Sequence, residues 1–245
     1  MNAFRTRVTT AALGLFTACA VHAESYNSPI TITPESTALL YFKLSEDKPT
    51  IKLFDMQLRT DSDLATWPTL QVYKRTRDVF IRKEKEAEFN VNATARIKQA
   101  SKENEYITII QVHISEYDFD NKHFIFSFPS ANERYGLLAK RIADYPEIDP
   151  YVILPSVSIR YVPANIDEAK KIEHFRSTVQ RQHPQKRSYA RLLLKPENAT
   201  ADVKYKKAFE KVYFKLTSLD ILIPAPYRPA MLQDKALLTM NIGSE

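Results

Sequence analysis

Residues 88–128 read EFNVNATARIKQASKENEYITIIQVHISEYDFDNKHFIFSF, and how this run is divided into strands decides the fold. In EFNVNATARIK, Phe89, Val91, Ala93, Ala95 and Ile97 alternate with polar residues, a period of two that predicts a half-buried strand. Ser101-Lys-Glu-Asn104 is a turn signal, and the β-branched run Tyr106–Ile114 then predicts an antiparallel return. Phe124, Phe126 and Phe128 alternate once more before Pro129 stops the ladder. Three consecutive strands predict a meander.

Parity within this run bears on function, because Glu116, Asp118 and Asp120 would continue the face of Ile110, Val112 and Ile114 if the strand stayed regular. Three carboxylates would then enter the core, at high desolvation cost. A β-bulge near Ser115-Glu116 avoids this by turning Tyr117 and Phe119 inward and the acids outward, with Asp120-Asn121-Lys122 as the turn. A second reading gathers Glu116, Asp118 and Asp120 with His123 around Ca²⁺ or another divalent ion. Calcium takes about six to eight oxygens, and no glycine is present to shape a tight EF-hand-type loop. The solvated turn is the more economical of the two. The segment resembles exported bacterial proteins of a family with no assigned function, in which a strand ends in Tyr-Asp-Phe and a phenylalanine follows a short turn. Here those residues are Tyr117, Asp118, Phe119 and Phe124. The resemblance implies no activity and supplies no catalytic residue.

Outward from this run, Thr33-Pro34-Glu35 is a helix start that carries Ala38–Leu44. TIKLFDMQL (50–58) predicts a strand, and Thr66-Trp67-Pro68 begins a helix running to about Glu86. Leu70, Tyr73, Val79 and Phe80 fall near one face of that helix, with Lys74, Arg75, Arg77, Arg82, Lys83 and Lys85 mostly elsewhere. Proline, tyrosine and acids between Tyr145 and Pro155 mark a connection, where a boundary between two subdomains would fall. VSIRYV (157–162) is a strand. Asn165 and Glu168 have capping-box spacing for a helix that ends before Pro184. SYARLLL and KVYFKLTSLDILI add two strands, separated by a polar stretch holding PENATAD. In the second of these the apolar phase slips from Val212, Phe214 and Leu216 to Leu219, Ile221 and Ile223, as it does at the acidic turn. Strands, helix and strands without regular βαβ alternation predict an α+β fold, with antiparallel meander sheets packed against two or three helices.

The first 23 residues have the form of a secretory signal. Arg5 and Arg7 form the basic region, Val8–Val21 the apolar region, and Val21-His22-Ala23 a small-x-Ala site for cleavage after Ala23. The apolar run is shorter than the about 20 residues a membrane span needs. Residues 24–245 are then a single exported α+β domain in the periplasm or cell envelope. Cys19, the one cysteine, leaves an alternative in which a lipid on it anchors the protein, although Phe16 is bulky for the position three before a lipoprotein cysteine. Without Cys19 no thiol chemistry or disulfide remains. Only Gly14, Gly136 and Gly243 occur, so glycine-dependent phosphate loops, dinucleotide-binding turns and nucleophile elbows cannot be written.

Removing Arg5 and Arg7 and no acid leaves 33 basic against 29 acidic residues. That mild excess suits an anionic envelope polymer, lipid headgroups or an acidic envelope protein, and argues against nucleic acid. KRSYAR (186–191) and KYKKAFEK (204–211) interleave aromatics with cations, although a solvated face beside a turn is the more economical reading of both. His113, His123, His174 and His183 form no i, i+4 zinc pair. The sequence therefore favours a non-enzymatic binding protein with no cofactor beyond the calcium alternative. An envelope hydrolase acting through paired carboxylates, with or without a divalent ion, is the alternative, since such acids leave no spacing signature.

Overall fold

The structure is a computed structural model that describes residues 28–134, 137–182, 188–204, 207–223 and 230–242, side chains being described in most of these. Residues 1–23, predicted as a secretory signal and holding Cys19 and Ala23, lie outside the described residues, as do Gly136, His183 and Pro184. In chain order the elements are β1 (Ile30–Thr31), α1 (Pro34–Ser45), α2 (Ile51–Gln57), α3 (Asp61–Leu64), α4 (Pro68–Arg75), α5 (Val79–Gln99), β2 (Tyr106–Ile114), β3 (Phe124–Ser127), β4 (Asn132–Arg134), β5 (Leu137–Arg141), β6 (Ile148–Ile153), β7 (Ser158–Tyr161), α6 (Ile166–Gln182), β8 (Ser188–Lys204), β9 (Lys207–Ile223) and β10 (Lys235–Asn241).

The fold is α+β, but its sheet is mixed and is not a meander. The strands run β4-β5-β6-β9-β8-β2-β3-β7, with β1 beside β2 and β10 beside β9. Most neighbours are antiparallel, whereas β1–β2 and β6–β9 are parallel. The hairpin of β8 and β9 is the backbone of the sheet. One edge of β9 follows β8 throughout, while the other is shared by β6 over Glu210–Lys215 and by β10 over Ser218–Ile223.

Several expectations are corrected. Residues 89–98 are helical, and β2 takes β8 as its antiparallel partner along Tyr106–Val112. Phe89 and Ala93 are fully buried and Ile97 half-buried, a spacing of four along one helix face, while Val91 is 71% exposed. Asp78 starts this helix by accepting hydrogen bonds from the Phe80 and Ile81 amides at 2.8 and 3.2 Å. Residues 51–57 are also helical, with Thr50 as the cap and Ile51, Phe54 and Leu58 on the buried side. The helix beginning at Pro68 ends at Arg75, and the non-helical residues 76–78 separate it from α5. The stretch 145–155 holds β6, which lies between β5 and β9. PENATAD stays within the β8–β9 ladder, with a register shift between Pro196 and Asn198.

The caps at Thr33 and Asn165 start helices where the sequence places them. Thr33 and Ser36 complete a reciprocal capping box. Asn165 Oδ1 accepts from the Glu168 amide, whereas the Glu168 carboxylate reaches the amide of Ala164. The phase slip in β9 is a bulge at Thr217, the extra residue between Leu193↔Ser218 and Leu194↔Leu216. Its hydroxyl donates to the Leu193 carbonyl at 2.9 Å, which satisfies the disrupted ladder.

One large core lies between helices and sheet. Val112 and Ile114 from β2, Phe124 and Phe126 from β3, and Val212, Phe214 and Leu216 from β9 join Leu40 of α1 and Ile172 of α6. Ala139, Tyr151 and Tyr213 form a small separate cluster. On the helical side Phe54 lies 5.1 Å from both Trp67 and Phe89, ring centre to ring centre, and stacks on Phe42 at 5.6 Å. No helix among the described residues is long and apolar enough to cross a membrane.

Candidate functional site

The acidic turn singled out by the sequence is built on a one-residue bulge. Ile114 pairs with Phe126 and Asp118 bridges to His123, so the first strand holds one residue more than its partner between these points. Ser115 absorbs it: its amide donates to the Ile125 carbonyl and its hydroxyl accepts from the Ile125 amide, each at 2.9 Å. Asp118 accepts from the backbone and side-chain nitrogens of Asn121 at 2.9 and 2.8 Å. Those bonds, the backbone one foremost, hold its carboxyl below the ordinary carboxylate range. Lys122 takes the left-handed conformation, φ 55°.

Glu116 and Asp120 are exposed and Asp118 is half-buried. Glu116 reaches Arg176 of α6 at 3.4 Å, and Asp118 is committed to Asn121. His123 is buried, with Nδ1 lacking a hydrogen-bond partner among the described residues. Among those residues no group of three or more His, Cys, Asp or Glu side chains converges as a metal site. Tyr117 packs on the core, but Phe119, expected inward, is 77% exposed and meets only the edge of Tyr117 at 5.0 Å in the ring contacts described.

A second group of acids has no signal in the sequence. Asp47 follows α1, Glu147 precedes β6, and Glu210 sits on β9 opposite Ile148. Fully buried Gln57 fixes this arrangement: its Oε1 accepts from the amides of Glu147 and Ile148 at 3.0 and 2.9 Å, and its Nε2 donates to the Ile148 carbonyl at 3.2 Å. Burial, and then the nearby charges of Glu147 and Asp47, raise the carboxyl of Glu210 above its ordinary range, and Glu210 Oε2 has no hydrogen-bond partner among the described residues. Burial and the negative charges of Glu210 and Asp47 likewise push the Tyr41 phenol up to about 12, and its hydroxyl donates to Asp47 at 3.3 Å.

A cleft of about 370 Å³ opens beside β1, α1 and the end of α5, lined by Ile30, Glu35, Leu39, Arg96, Gln99 and Tyr106 among others. Its charges are already satisfied. Arg96 pairs with Glu35, donates to the Thr66 carbonyl at 2.8 Å and lies 4.3 Å above the Trp67 ring.

The fourth feature is the corner where α4 gives way to α5. The sequence places Val79 and Phe80 on a buried helix face, but the break at 76–78 turns them out. Val79 is 73% and Phe80 87% exposed, and Ile81, next in sequence, and Val72 on α4 are exposed too. Six basic residues against three acids lie between residues 74 and 86. Lys74 is held by Asp55 at 3.1 Å, Lys85 by Glu88 at 2.7 Å, and Arg82 lies 4.9 Å over the Tyr73 ring. Exposed Arg75, Arg77 and Lys83 have no ion pair among the described residues. The two other basic segments are more constrained where they are described. Arg191 pairs with Asp220, and Lys211 is buried near the Tyr151 ring.

No family model matches the chain, and no curated protein or solved structure matches it either.

Proposed function

We propose that the protein is an exported, non-enzymatic binding protein of the cell envelope whose contact surface is the α4–α5 corner. The supporting observation is Phe80, a large apolar side chain held 87% exposed by a capped helix start, flanked in sequence by exposed Val79 and Ile81, with Val72 exposed on α4. Leaving such a side chain in water forgoes roughly 2 kcal/mol that burial would supply. Contiguous apolar surface with a polar rim is the usual mark of an interaction site. The basic, apolar and small-x-Ala pattern of residues 1–23 supports export.

A photo-crosslinking amino acid at position 80, compared in cells with one at the exposed position Lys102, tests the binding role. Adducts specific to position 80 are expected; equal labelling at both positions would remove the corner from consideration. Sequencing the N-terminus of the protein recovered from cells should begin at Glu24. A lipid-modified Cys19 would replace free export with anchoring.

Glu210 favours a second reading, an envelope hydrolase acting through carboxylates. A carboxyl raised above its ordinary range by burial and by the charges of Glu147 and Asp47 suits a general acid near a base or nucleophile. Glu210→Gln should then abolish hydrolysis of envelope material while leaving the melting temperature at neutral pH unchanged or higher. The sign follows from linkage. The native carboxyl holds its proton above the ordinary value of 4.5, so stability is fullest below that value and falls as pH rises through the folded pKa. Glu210→Gln should flatten that fall in melts recorded from pH 4 upward; an unchanged slope would place its source elsewhere.

A further inference from the structure

We infer that the α4–α5 corner docks on an anionic lipid bilayer, setting Phe80, Val79 and Ile81 into the boundary between headgroups and acyl chains while Arg75, Arg77, Arg82 and Lys83 meet the lipid phosphates. The inference rests on the binding role proposed above and names the partner for the same surface.

Shape separates a bilayer from a protein partner. In α5, residues 79–84 are all exposed, and the first fully buried position is Phe89, so the start of the helix stands clear of the body. A stable protein interface buries about 800 Å² and some 20–30 residues on each side. Four apolar side chains on a projecting corner are too few for that. A lipid surface demands no matching shape, and an apolar tip need enter only about 5–10 Å.

Charge points the same way. Arg75 and Arg77 lie just before the tip and Arg82 and Lys83 just after it, so cations bracket the apolar residues in sequence. Of the local acids, Asp78 is already bound to the Phe80 and Ile81 amides, and Lys85 lies 3.4 Å from Glu84. Glu86 is exposed a turn farther along the helix. A short apolar insertion holds poorly alone, and a basic patch supplies the second attraction that reversible anchoring requires.

Co-sedimentation of the purified chain with vesicles of phosphatidylcholine alone, or with three-tenths phosphatidylglycerol, tests the inference. All variants share one N-terminus, so any contribution from the leader cancels. Binding should need phosphatidylglycerol and weaken as salt rises. Phe80→Asp should lower partitioning at least about ten-fold, and Arg77→Ala or Lys83→Ala about five-fold each, with melting temperatures unchanged. Equal partitioning of the unaltered chain and Phe80→Asp would overturn the inference, as would equal binding to phosphatidylcholine. The crosslinker at position 80 separates this failure from failure of the binding role. Adducts to another protein, or to a second copy of this chain, would overturn the lipid partner and keep the binding role; no adduct of any kind would remove both.

Discussion

Phe80 and Phe89 lie on the same helix, nine residues apart, yet Phe89 is fully buried against Phe54 and Trp67 while Phe80 is 87% exposed. The later part of α5 is held by the aromatic cluster and by Arg96, which ties the helix to Glu35 and the Trp67 ring. The beginning has Asp78 as its cap, good helix formers such as Glu, Lys and Arg, and little packing. One end therefore anchors and the other presents. A helix about 31 Å long lets the two tasks coexist without competing for the same residues.

The strongest way to break this contrast is to remove the anchor. Phe89→Ala should cost about 3–5 kcal/mol in urea unfolding, because transfer free energy is lost and the cluster cannot close over the space. Arg96→Ala should cost roughly 2 kcal/mol, combining the lost cation–π contact with charged hydrogen bonds to Glu35 and Thr66. Arg96→Lys should recover less than half of it, since an ammonium cannot reproduce the planar fork. Asp78→Ala should cost about 1 kcal/mol, and hydrogen exchange should quicken in the first turns of α5 and not beyond Phe89. Phe80→Ser should change stability by less than about 0.5 kcal/mol. A loss comparable to that of Phe89→Ala would mean that Phe80 is covered in solution, and the contrast between the two ends would disappear.

The same helix shows what the sequence conceals. Positions 89, 93 and 97 satisfy both a period of two and a spacing of four, so the buried residues alone cannot separate strand from helix. Val91 and Ala95 decide the matter, since a half-buried strand hides them and the helix exposes them. The useful signal lay upstream, where Asp78 opens a run dense in Lys, Glu and Arg. Caps were legible where a hydroxyl or amide stood before an apolar stripe, as at Thr33 and Asn165. Thr50 was equally legible in principle, but the apolar run behind it read as a strand. Central β6 was hidden by Pro150 and Asp149, residues that ordinarily mark loops. Here the Pro150 carbonyl accepts from Ile142, and Asp149 is held by Arg141 and the Tyr145 amide. The acidic turn stood out because three carboxylates were close in sequence, yet they turn to local partners or solvent. The group around Glu210 was illegible because its acids are drawn from three elements, Glu147 brought by the pairing of β6 with β9 and Asp47 by the packing of α1 on the sheet. The corner was half legible: its cations and apolar residues stand out in the sequence, but a continuous helix would have put Phe80 against the core.

The two-sided pairing of β9 also has a consequence for how the chain comes into being. β2 and β6 are synthesised well before the hairpin of β8 and β9 that joins them, so the sheet has no middle until residue 223 has left the ribosome. Long-range pairing of this kind folds slowly. A slow start would suit the export proposed above, in which a polypeptide is threaded, still unfolded, through a narrow pore. It also makes shortened chains hazardous: a product ending at Gln182 leaves β2 and β6 with bare edges, and is expected to aggregate in a pelleting assay where the full chain stays in the supernatant.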